Sequence, residues 1–259
     1  MNMTTTQQEG GLFGGISGFT LKLIAVVTML IDHTAASILE RMIFSVDAEG
    51  FYVVTNEGLY NIYMVMRIIG RMAFPIYCFL LVEGFVHTRN MKKYAFRLFL
   101  FALLSELPFD MALFNSFWNM EYNNVFFTLF IGLATIAGLD YMDKNVKSGK
   151  LLRILIMLCV VGAGMLLADI LRTDYGMAGI ATIVTMYLLR NRKNVSFTVG
   201  VLVLTFLAGI LEAAALLMTI PVYFYNGTRG RQMKYFFYAF YPVHLLILAG
   251  ICAILGLGI

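Results

Sequence analysis

The sequence predicts an all-α integral-membrane protein, a polytopic bundle of about eight transmembrane helices. Its 259 residues are 60% hydrophobic and 13% charged, whereas soluble chains average about 45–50% apolar and about 25% charged residues. Such a chain cannot cover a water-facing surface with polar side chains, so lipid must be its main solvent. Long apolar runs, and the alternating charge of the loops between them, predict the same fold class.

Eight apolar runs approach the length of about 20 residues that a membrane-crossing helix needs. They cover Thr20–Leu39, Asn61–Val86, Tyr94–Phe114, Asn124–Tyr141, Leu151–Leu171, Gly176–Leu189, Val195–Leu217 and Tyr235–Leu257. The segment Ser196–Tyr225 is long for one crossing and short for two, and Gly209 and Pro221 interrupt it. A ninth helix or one re-entrant segment within residues 196–225 is therefore an alternative.

The polar N-terminus precedes these runs. Residues 1–19 are rich in Gly, Thr and Gln and contain no Lys or Arg, so we expect a flexible tail there. Residues 20–259 show neither an internal repeat nor a separate soluble segment, and we expect them to form a single transmembrane domain.

Positive charge is concentrated in every second loop. The basic residues of these three loops are Arg89, Lys92, Lys93 and Arg97; Lys144, Lys147, Lys150 and Arg153; and Arg190, Arg192 and Lys193. Because basic loops stay in the cytoplasm, we expect the N-terminus to lie on the cytoplasmic side of the membrane. The basic segment Asn226–Lys234 breaks this rule, since eight crossings place it outside. Either an extra crossing precedes it or its charges bind something.

Cysteine content and net charge exclude other classes of protein. Each of the three cysteines, Cys78, Cys159 and Cys252, lies in an apolar run, which excludes a disulfide framework and a cysteine-rich metal site. The formal net charge of +4 is too small to indicate a nucleic-acid partner. We therefore expect no metal and no nucleic acid.

Ionisable residues inside a membrane are costly and mark candidate functional sites. Lys22 and His33 lie 11 positions apart in the first run, which places them on one helix face about 16 Å apart. Asp32 points about 100° away from His33, so it is not an obvious partner for that imidazole. The alternative is that His33 serves packing only, through a hydrogen bond to a neighbouring helix.

The second run carries two further pairs at a spacing of four residues, which share a helix face. Arg67 and Arg71 cannot lose their charge, so they need anionic partners, either Glu106 and Asp110 or the phosphates of a ligand. Glu83 lies one turn before His87, where its carboxylate could orient the imidazole or simply cap the helix end.

The last run carries a polar ridge on one face, formed by Tyr235, Tyr238, Tyr241 and His244. Glu212 in the seventh run has no partner nearby in the sequence. All three histidines lie in or beside predicted spans, which favours acid–base chemistry or a proton relay over a scaffold. This pattern fits either an enzyme or a transporter.

Seven separated blocks of the chain resemble the TraX family. They are Gly18–His33, Met66–Asn90, Ser105–Asp110, Asn124–Leu129, Asp174–Gly179, Asn226–Arg231 and Tyr235–Leu246. The family is named after a membrane acetyltransferase that N-acetylates conjugative pilin. More distantly, the basic residue and histidine of the first run resemble those of membrane acyltransferases with a first-span catalytic histidine. That position is His33 here, and Lys22 replaces the usual arginine.

The resemblance implies acetyl-CoA as the donor substrate and an integral-membrane acetyltransferase acting on an amine or hydroxyl of an unidentified cell-envelope acceptor. The expected catalytic residues are His33, Asp32, Arg67, Arg71 and His244. The expected acetyl-CoA-binding residues are Lys22, His87, Arg89, Asn226, Arg229, Arg231 and Tyr241, and the expected acceptor-binding residues are Glu106, Asp110 and Asn124. We expect membrane lipid to surround the bundle, in a bacterial-type cytoplasmic membrane. The alternative function is a proton-coupled transporter in which histidines and acids form the relay.

Overall fold

The computed structural model describes residues 15–46, 49–146 and 149–258 of the chain. Its α-helices are α1 (Gly18–Thr34), α2 (Glu40–Ile43), α3 (Glu57–Gly70), α4 (Ala73–His87), α5 (Met91–Phe109), α6 (Val125–Asn145), α7 (Lys150–Ile170), α8 (Gly176–Leu188), α9 (Lys193–Ala208), α10 (Thr219–Tyr223) and α11 (Lys234–Ile254). Two short strands, β1 (Phe44–Val46) and β2 (Tyr52–Val54), form an antiparallel hairpin in which Phe44 pairs with Val54.

The predicted all-α membrane bundle is confirmed. Among the described residues, five helical stretches are long and apolar enough to cross a membrane: Gly18–Ile43, Glu57–His87, Val125–Asn145, Lys150–Ile170 and Lys234–Ile254. Three shorter apolar helices cover Gly176–Leu188, Lys193–Ala208 and Ile210–Tyr223. Large apolar side chains face outward, as lipid requires; Phe206, for example, is 88% exposed.

Three predicted runs are interrupted in the structure. The second run divides between Gly70 and Ala73 into α3 and α4. The third continues as α5 through Pro108 and then widens into a π-helical turn at Asp110–Phe114. A similar π-helical turn, Ala35–Leu39, joins α1 to α2. Wider turns of this kind often mark functional regions of a helix.

Helix α1 lies centrally and contacts α3, α4 and α11. It runs parallel to α11: the Phe19 and Phe237 rings meet near the start of both helices, with centroids 5.7 Å apart. Near the other end, the Cys252 thiol contacts the Ser37 carbonyl at 3.5 Å. This parallel packing aligns the polar positions of the two helices.

The basic segment and the start of α1 lie at the same end of the bundle, which we call the basic end (Gly18, His87, Lys193 and Thr228). The Gly18 amide donates to the Thr228 carbonyl at 2.8 Å, and Arg229 donates to the His87 carbonyl at 3.3 Å. At the opposite end, Arg41 donates to the carbonyls of Ala112 at 2.8 Å and Leu257 at 3.3 Å.

Residues 193–223 enter the bundle and return to the basic end. Helix α9 stops at Gly209, whose φ of +120° suits glycine, and a 3₁₀ helix at Ile210–Met218 leads back into α10. The Lys193 ammonium lies 4.7 Å from the Tyr225 ring centre, so the two ends of the segment meet. This return to the basic end fits both alternatives, a ninth helix and one re-entrant segment, and it places the basic segment with the other basic loops. We call residues 193–223 the re-entrant segment. Of the basic loop residues named from the sequence, Lys147 lies outside the described residues.

Residues 1–14 of the expected N-terminal tail also lie outside the described residues. Residues 15–17 extend beside the segment that follows α10. The Ile16 amide donates to the Phe224 carbonyl at 2.9 Å, and the Asn226 amide donates to the Ile16 carbonyl at 3.0 Å. This short pairing connects the start of α1 to the basic segment.

This topology predicts which engineered cysteines face the same side of a membrane. In a Cys159→Ser background, Thr228→Cys and Gly149→Cys should react with an impermeant maleimide from one side, and Glu121→Cys from the other. All three positions are exposed at the ends of the bundle, whereas native Cys78 and Cys252 are buried. Labelling of Thr228→Cys together with Glu121→Cys would contradict the re-entrant arrangement.

Candidate functional site

Two histidines from the parallel helices α1 and α11 form a buried pair. Nδ1 of His33 lies 2.6 Å from Nε2 of His244, and the two ring planes differ by 4°. The pair is enclosed by protein, since His33 is 9% exposed and His244 is 4% exposed. The sequence predicts both residues as candidates but does not indicate their direct contact.

A backbone carbonyl determines where the protons of the neutral pair lie. Nδ1 of His244 is 2.7 Å from the Phe240 carbonyl oxygen. Because a carbonyl only accepts, Nδ1 of His244 carries a proton and its Nε2 is an acceptor. Nδ1 of His33 must then donate to that nitrogen. Nε2 of His33 is left with a free lone pair, and it has no hydrogen-bond partner among the described residues.

Asp32, the neighbour of His33, belongs to a separate ion-pair cluster, which we call the arginine cluster (Asp32, Arg67, Arg71 and Glu212). Asp32 accepts from Arg67 at 2.8 Å and from Arg71 at 2.9 Å, one through each carboxylate oxygen. Arg71 also lies 3.3 Å from the Glu212 carboxylate. The prediction that Asp32 does not orient His33 therefore agrees with the structure.

The expected ion pairs of Arg67 and Arg71 with Glu106 or Asp110 are wrong. Helix α3 packs against α1 rather than against α5, so Asp32 is the carboxylate within reach. Gly70 makes this approach possible, because a Cβ atom at that position would collide with Asp32. Helix α3 ends at Gly70. The Arg71 side chain, just after this helix end, points toward the re-entrant segment that carries Glu212.

A cavity of about 430 Å³ runs from the basic end toward the histidine pair. Its entrance is basic, with Lys22, Arg229, Arg231 and Lys234 in its wall. On α11, the lining residue farthest along the helix from the basic end is Tyr241, whose ring centre lies 5.7 Å from that of His33. Met29, one helical turn before His33, also lines it. The cavity therefore links a cationic entrance to the side of the catalytic candidate.

Most residues expected to bind acetyl-CoA line this cavity. Lys22, His87, Arg229, Arg231 and Tyr241 are part of its wall. Arg89 is an exposed loop residue and does not line it. Asn226 also lies outside the wall: its side chain donates to the Gly15 carbonyl at 2.9 Å and accepts from the Thr228 amide at 2.9 Å. Asn226 therefore shapes the turn that presents the arginines.

His87 is not oriented by the Glu83 carboxylate. Its Nδ1 lies 2.8 Å from the backbone carbonyl of Glu83, within the last turn of α4. The Glu83 side chain lines the cavity instead, near Tyr225. Burial and the nearby Glu83 carboxylate raise the pKa of Tyr225 to about 12, so this hydroxyl remains protonated at neutral pH.

The expected acceptor-binding residues lie toward the opposite end. Asn124 caps the start of α6 and donates through its side chain to Glu106 and to the Ala102 carbonyl. Asp110 accepts from the Asn119 amide at 2.8 Å. One oxygen each of Glu106 and Asp110 is buried without a hydrogen-bond partner among the described residues. Among the described residues, none of these three side chains forms a hydrogen bond with His33 or His244.

Several residues of the site are not indicated by the sequence pattern. Tyr175 lies 3.5 Å from Arg71, and Tyr77, Tyr94 and Arg97 line the cavity. Tyr175 was detectable only as part of the Asp174–Gly179 block, and the others as polar residues in predicted spans. Within the described part of the chain, no group of three metal-ligating side chains lies close enough to hold a metal ion.

Comparison with known proteins gives a consistent family assignment. The family model described as "TraX protein" matches residues 17–252. The "Probable fimbrial assembly protein FimC, serogroup H1" of Dichelobacter nodosus is 28% identical over 260 residues, covering 90% of this chain and 94% of the relative. No solved structure matches. Because the family model spans most of the sequence, including both paired histidines and the basic segment, the chain belongs to the TraX family.

Proposed function

We propose that the protein is an integral-membrane acetyltransferase that moves an acetyl group from acetyl-CoA to an amine or hydroxyl of a cell-envelope acceptor. The observation that carries the proposal is the cavity, which leads from a basic entrance to the side of the paired histidines. Acetyl-CoA carries phosphates at one end and a long uncharged arm that ends in the thioester. Its phosphates would suit the basic entrance of the cavity, and its arm would suit the more apolar part near Tyr241.

The basic entrance suits the phosphates of the donor. Arginine and lysine side chains bind phosphate oxygens through charge-assisted hydrogen bonds. Gly230, whose φ is +63°, lets the basic segment pass close to Ser17 at the start of α1. The turn thereby holds Arg229 and Arg231 beside the cavity entrance.

His33 is the proposed general base. Its free Nε2 takes the proton of the acceptor amine or hydroxyl as the nucleophile attacks the thioester carbonyl carbon. The carbon–sulfur bond then breaks, and the proton passes to the departing thiolate. His244 and the Phe240 carbonyl hold the His33 ring in one tautomer throughout, as the orienting partner does in other histidine bases.

The position of His33 along α1 suits an acceptor arriving from the opposite end. His33 lies about 22 Å from Gly18 along the helix axis and about 15 Å from Ile43. The basic end would face the cytoplasm of a bacterial-type cell, where acetyl-CoA is available. Glu106, Asp110 and Asn124 would then lie on the acceptor side of the membrane.

The name of the FimC relative favours a fimbrial subunit among possible acceptors, which also include a peptide N-terminus, a sugar and a lipid headgroup. The arginine cluster favours the enzyme over a proton-coupled transporter, since the carboxylates of Asp32 and Glu212 contact arginines and not the histidine pair. Among the described residues, a relay that passes protons from histidine to carboxylate therefore has no carboxylate in contact with the histidine pair.

The proposal is tested by incubating membranes that contain the protein with acetyl-CoA radiolabelled in the acetyl group. We expect one envelope component to become labelled, and the label to be absent from membranes lacking the protein. Mass spectrometry of the labelled component distinguishes an N-acetyl from an O-acetyl product. Purified protein that neither binds nor hydrolyses acetyl-CoA would contradict the proposal.

A further inference from the structure

A second cavity, of about 400 Å³, lies at the basic end where α9 begins and α10 ends. Two basic residues, two asparagines, two tyrosines and two valines form its wall: Arg192, Lys193, Asn191, Asn194, Tyr223, Tyr225, Val195 and Val222. Within the described part of the chain, no acidic residue lines this cavity, and no carboxylate forms an ion pair with Arg192 or Lys193. The second cavity is therefore positively charged and partly aromatic.

Tyr225 separates the second cavity from the first, because it lines both of them. The Lys193 ammonium lies 4.7 Å from the centre of the Tyr225 ring. It also lies beside Gly227, which lines the first cavity: a Cβ atom added to Gly227 would be 3.1 Å from Nζ of Lys193. The two cavities are therefore neighbours, and one ligand of sufficient length can occupy both.

We infer that the second cavity is the subsite for the nucleotide of coenzyme A, and that Arg192 and Lys193 bind the phosphate on its ribose ring. This inference rests on the proposed function and extends it. Coenzyme A carries phosphate at two places, a diphosphate that joins the arm to the nucleotide and a separate phosphate on the ribose. The first cavity presents Arg229 and Arg231 at its entrance. The second presents Arg192 and Lys193 on the other side of Tyr225, so each phosphate position has its own pair of cations.

The uncharged part of the wall suits the adenine base. Tyr223 is 65% exposed, and its ring meets that of Phe224 edge to face at 5.3 Å. An exposed aromatic face supports stacking of a nucleic-acid base. The side chains of Asn191 and Asn194 offer both donors and acceptors to the edge of a base. A bare phosphate ion would use only the two cations, whereas a nucleotide would use the cations, the ring and the amides.

An anionic lipid headgroup is the other ligand that this chemistry could attract. Ile220 is 62% exposed and Phe224 is 56% exposed beside the cavity, so lipid chains can lie close to it. The nucleotide is favoured because Tyr225 connects the second cavity to the first, and because a lipid phosphate needs neither the asparagines nor the Tyr223 ring. Binding of a lipid is therefore an outcome of the test.

The test compares coenzyme A with dephospho-coenzyme A, which lacks the ribose phosphate, and with phosphopantetheine, which lacks the nucleotide. Binding is measured by calorimetry on the purified full-length protein in detergent. The wild type should bind coenzyme A about ten- to a hundredfold more tightly than the dephospho form, as expected for hydrogen bonds to a charged group. Arg192→Gln and Lys193→Gln should each weaken binding of coenzyme A by about tenfold and leave dephospho-coenzyme A within a few-fold of the wild type.

Two further variants separate the base from the phosphate. Tyr223→Leu removes the ring and keeps an apolar side chain, so it should weaken both coenzymes equally, by about tenfold, and leave phosphopantetheine unchanged. Arg190→Gln is the matched control for loss of charge in the same loop. Arg190 donates to the Tyr187 carbonyl at 2.8 Å and lies outside the cavity wall, so all three ligands should bind this variant as they bind the wild type.

Equal affinities of the wild type for the two coenzymes, or equal losses of coenzyme A binding in Arg192→Gln and Arg190→Gln, would overturn the inference. Native mass spectrometry of the protein with phosphatidylglycerol tests the lipid. If Arg192→Gln and Lys193→Gln lose this lipid but discriminate between the coenzymes as the wild type does, the cavity binds a headgroup and the inference is wrong.

The inference and the proposed function fail separately, because the readout is binding. Discrimination between the two coenzymes that depends on Arg192 and Lys193, without acetyl transfer, would overturn only the enzyme. Acetyl transfer that proceeds equally well from acetyl-CoA and its dephospho form would overturn only the inference.

Discussion

Replacing His33 with alanine is expected to lower the rate constant of acetyl transfer by about 10²–10⁴-fold, the range for loss of a general base. Coenzyme A should still bind within a few-fold of the wild type, because the basic entrance and the cavity wall do not include His33. Single-turnover transfer from radiolabelled acetyl-CoA, compared with equilibrium binding of coenzyme A, measures both quantities.

The His244 variants separate a base from its positioning partner. His244→Leu removes the acceptor for Nδ1 of His33, so the rate of transfer should fall while coenzyme A still binds. His244→Gln offers an amide oxygen at that place and should recover part of the rate. Thr34→Ala is the matched control, because the Thr34 hydroxyl donates only to the Leu30 carbonyl of its own helix, at 2.8 Å. Loss of transfer in His244→Leu together with full transfer in His33→Ala would reverse the two roles.

Hydropathy and loop charge predicted the fold class because both are properties of single segments. The apolar runs could be recognised without knowing their neighbours, and the alternation of basic loops detected the anomaly at Asn226–Lys234. The re-entrant path is less visible in the sequence. Gly209 and Pro221 indicate an interruption, but the meeting of Lys193 with Tyr225 depends on tertiary packing.

The sequence indicated which residues belong to the candidate site, but not which of their side chains contact each other. The angle between Asp32 and His33 around α1 correctly predicted that the two side chains contact different groups, since that angle is a local property of the helix. The partner of Arg71 was mispredicted, because Glu212 is 141 positions away and reaches it only after the chain re-enters the bundle. Likewise, His33 and His244 meet only because α1 and α11 run parallel.

Replacing Arg71 with methionine is expected to destabilise the protein by about 3–5 kcal/mol, the usual effect of removing one partner from a buried ion pair. Asp32 would keep Arg67, but Glu212 would lose the cation at 3.3 Å. Its other carboxylate oxygen already lacks a hydrogen-bond partner among the described residues. Glu212 is 4% exposed, so water cannot compensate. The midpoint of thermal unfolding in one detergent measures the effect.

The cause of this loss is separable by a second substitution. If an uncompensated carboxylate is responsible, Arg71→Met combined with Glu212→Gln should unfold at a higher temperature than Arg71→Met alone, because the buried negative charge is gone. Arg153→Met is the matched control: Arg153 pairs with Asp143 at the surface, where an ion pair contributes about 0–1 kcal/mol. A double variant no more stable than the single one would mean that Arg71 acts through packing rather than charge. An Arg71→Met protein as stable as the wild type would instead remove the arginine cluster from the forces that hold α1, α3 and the re-entrant segment together.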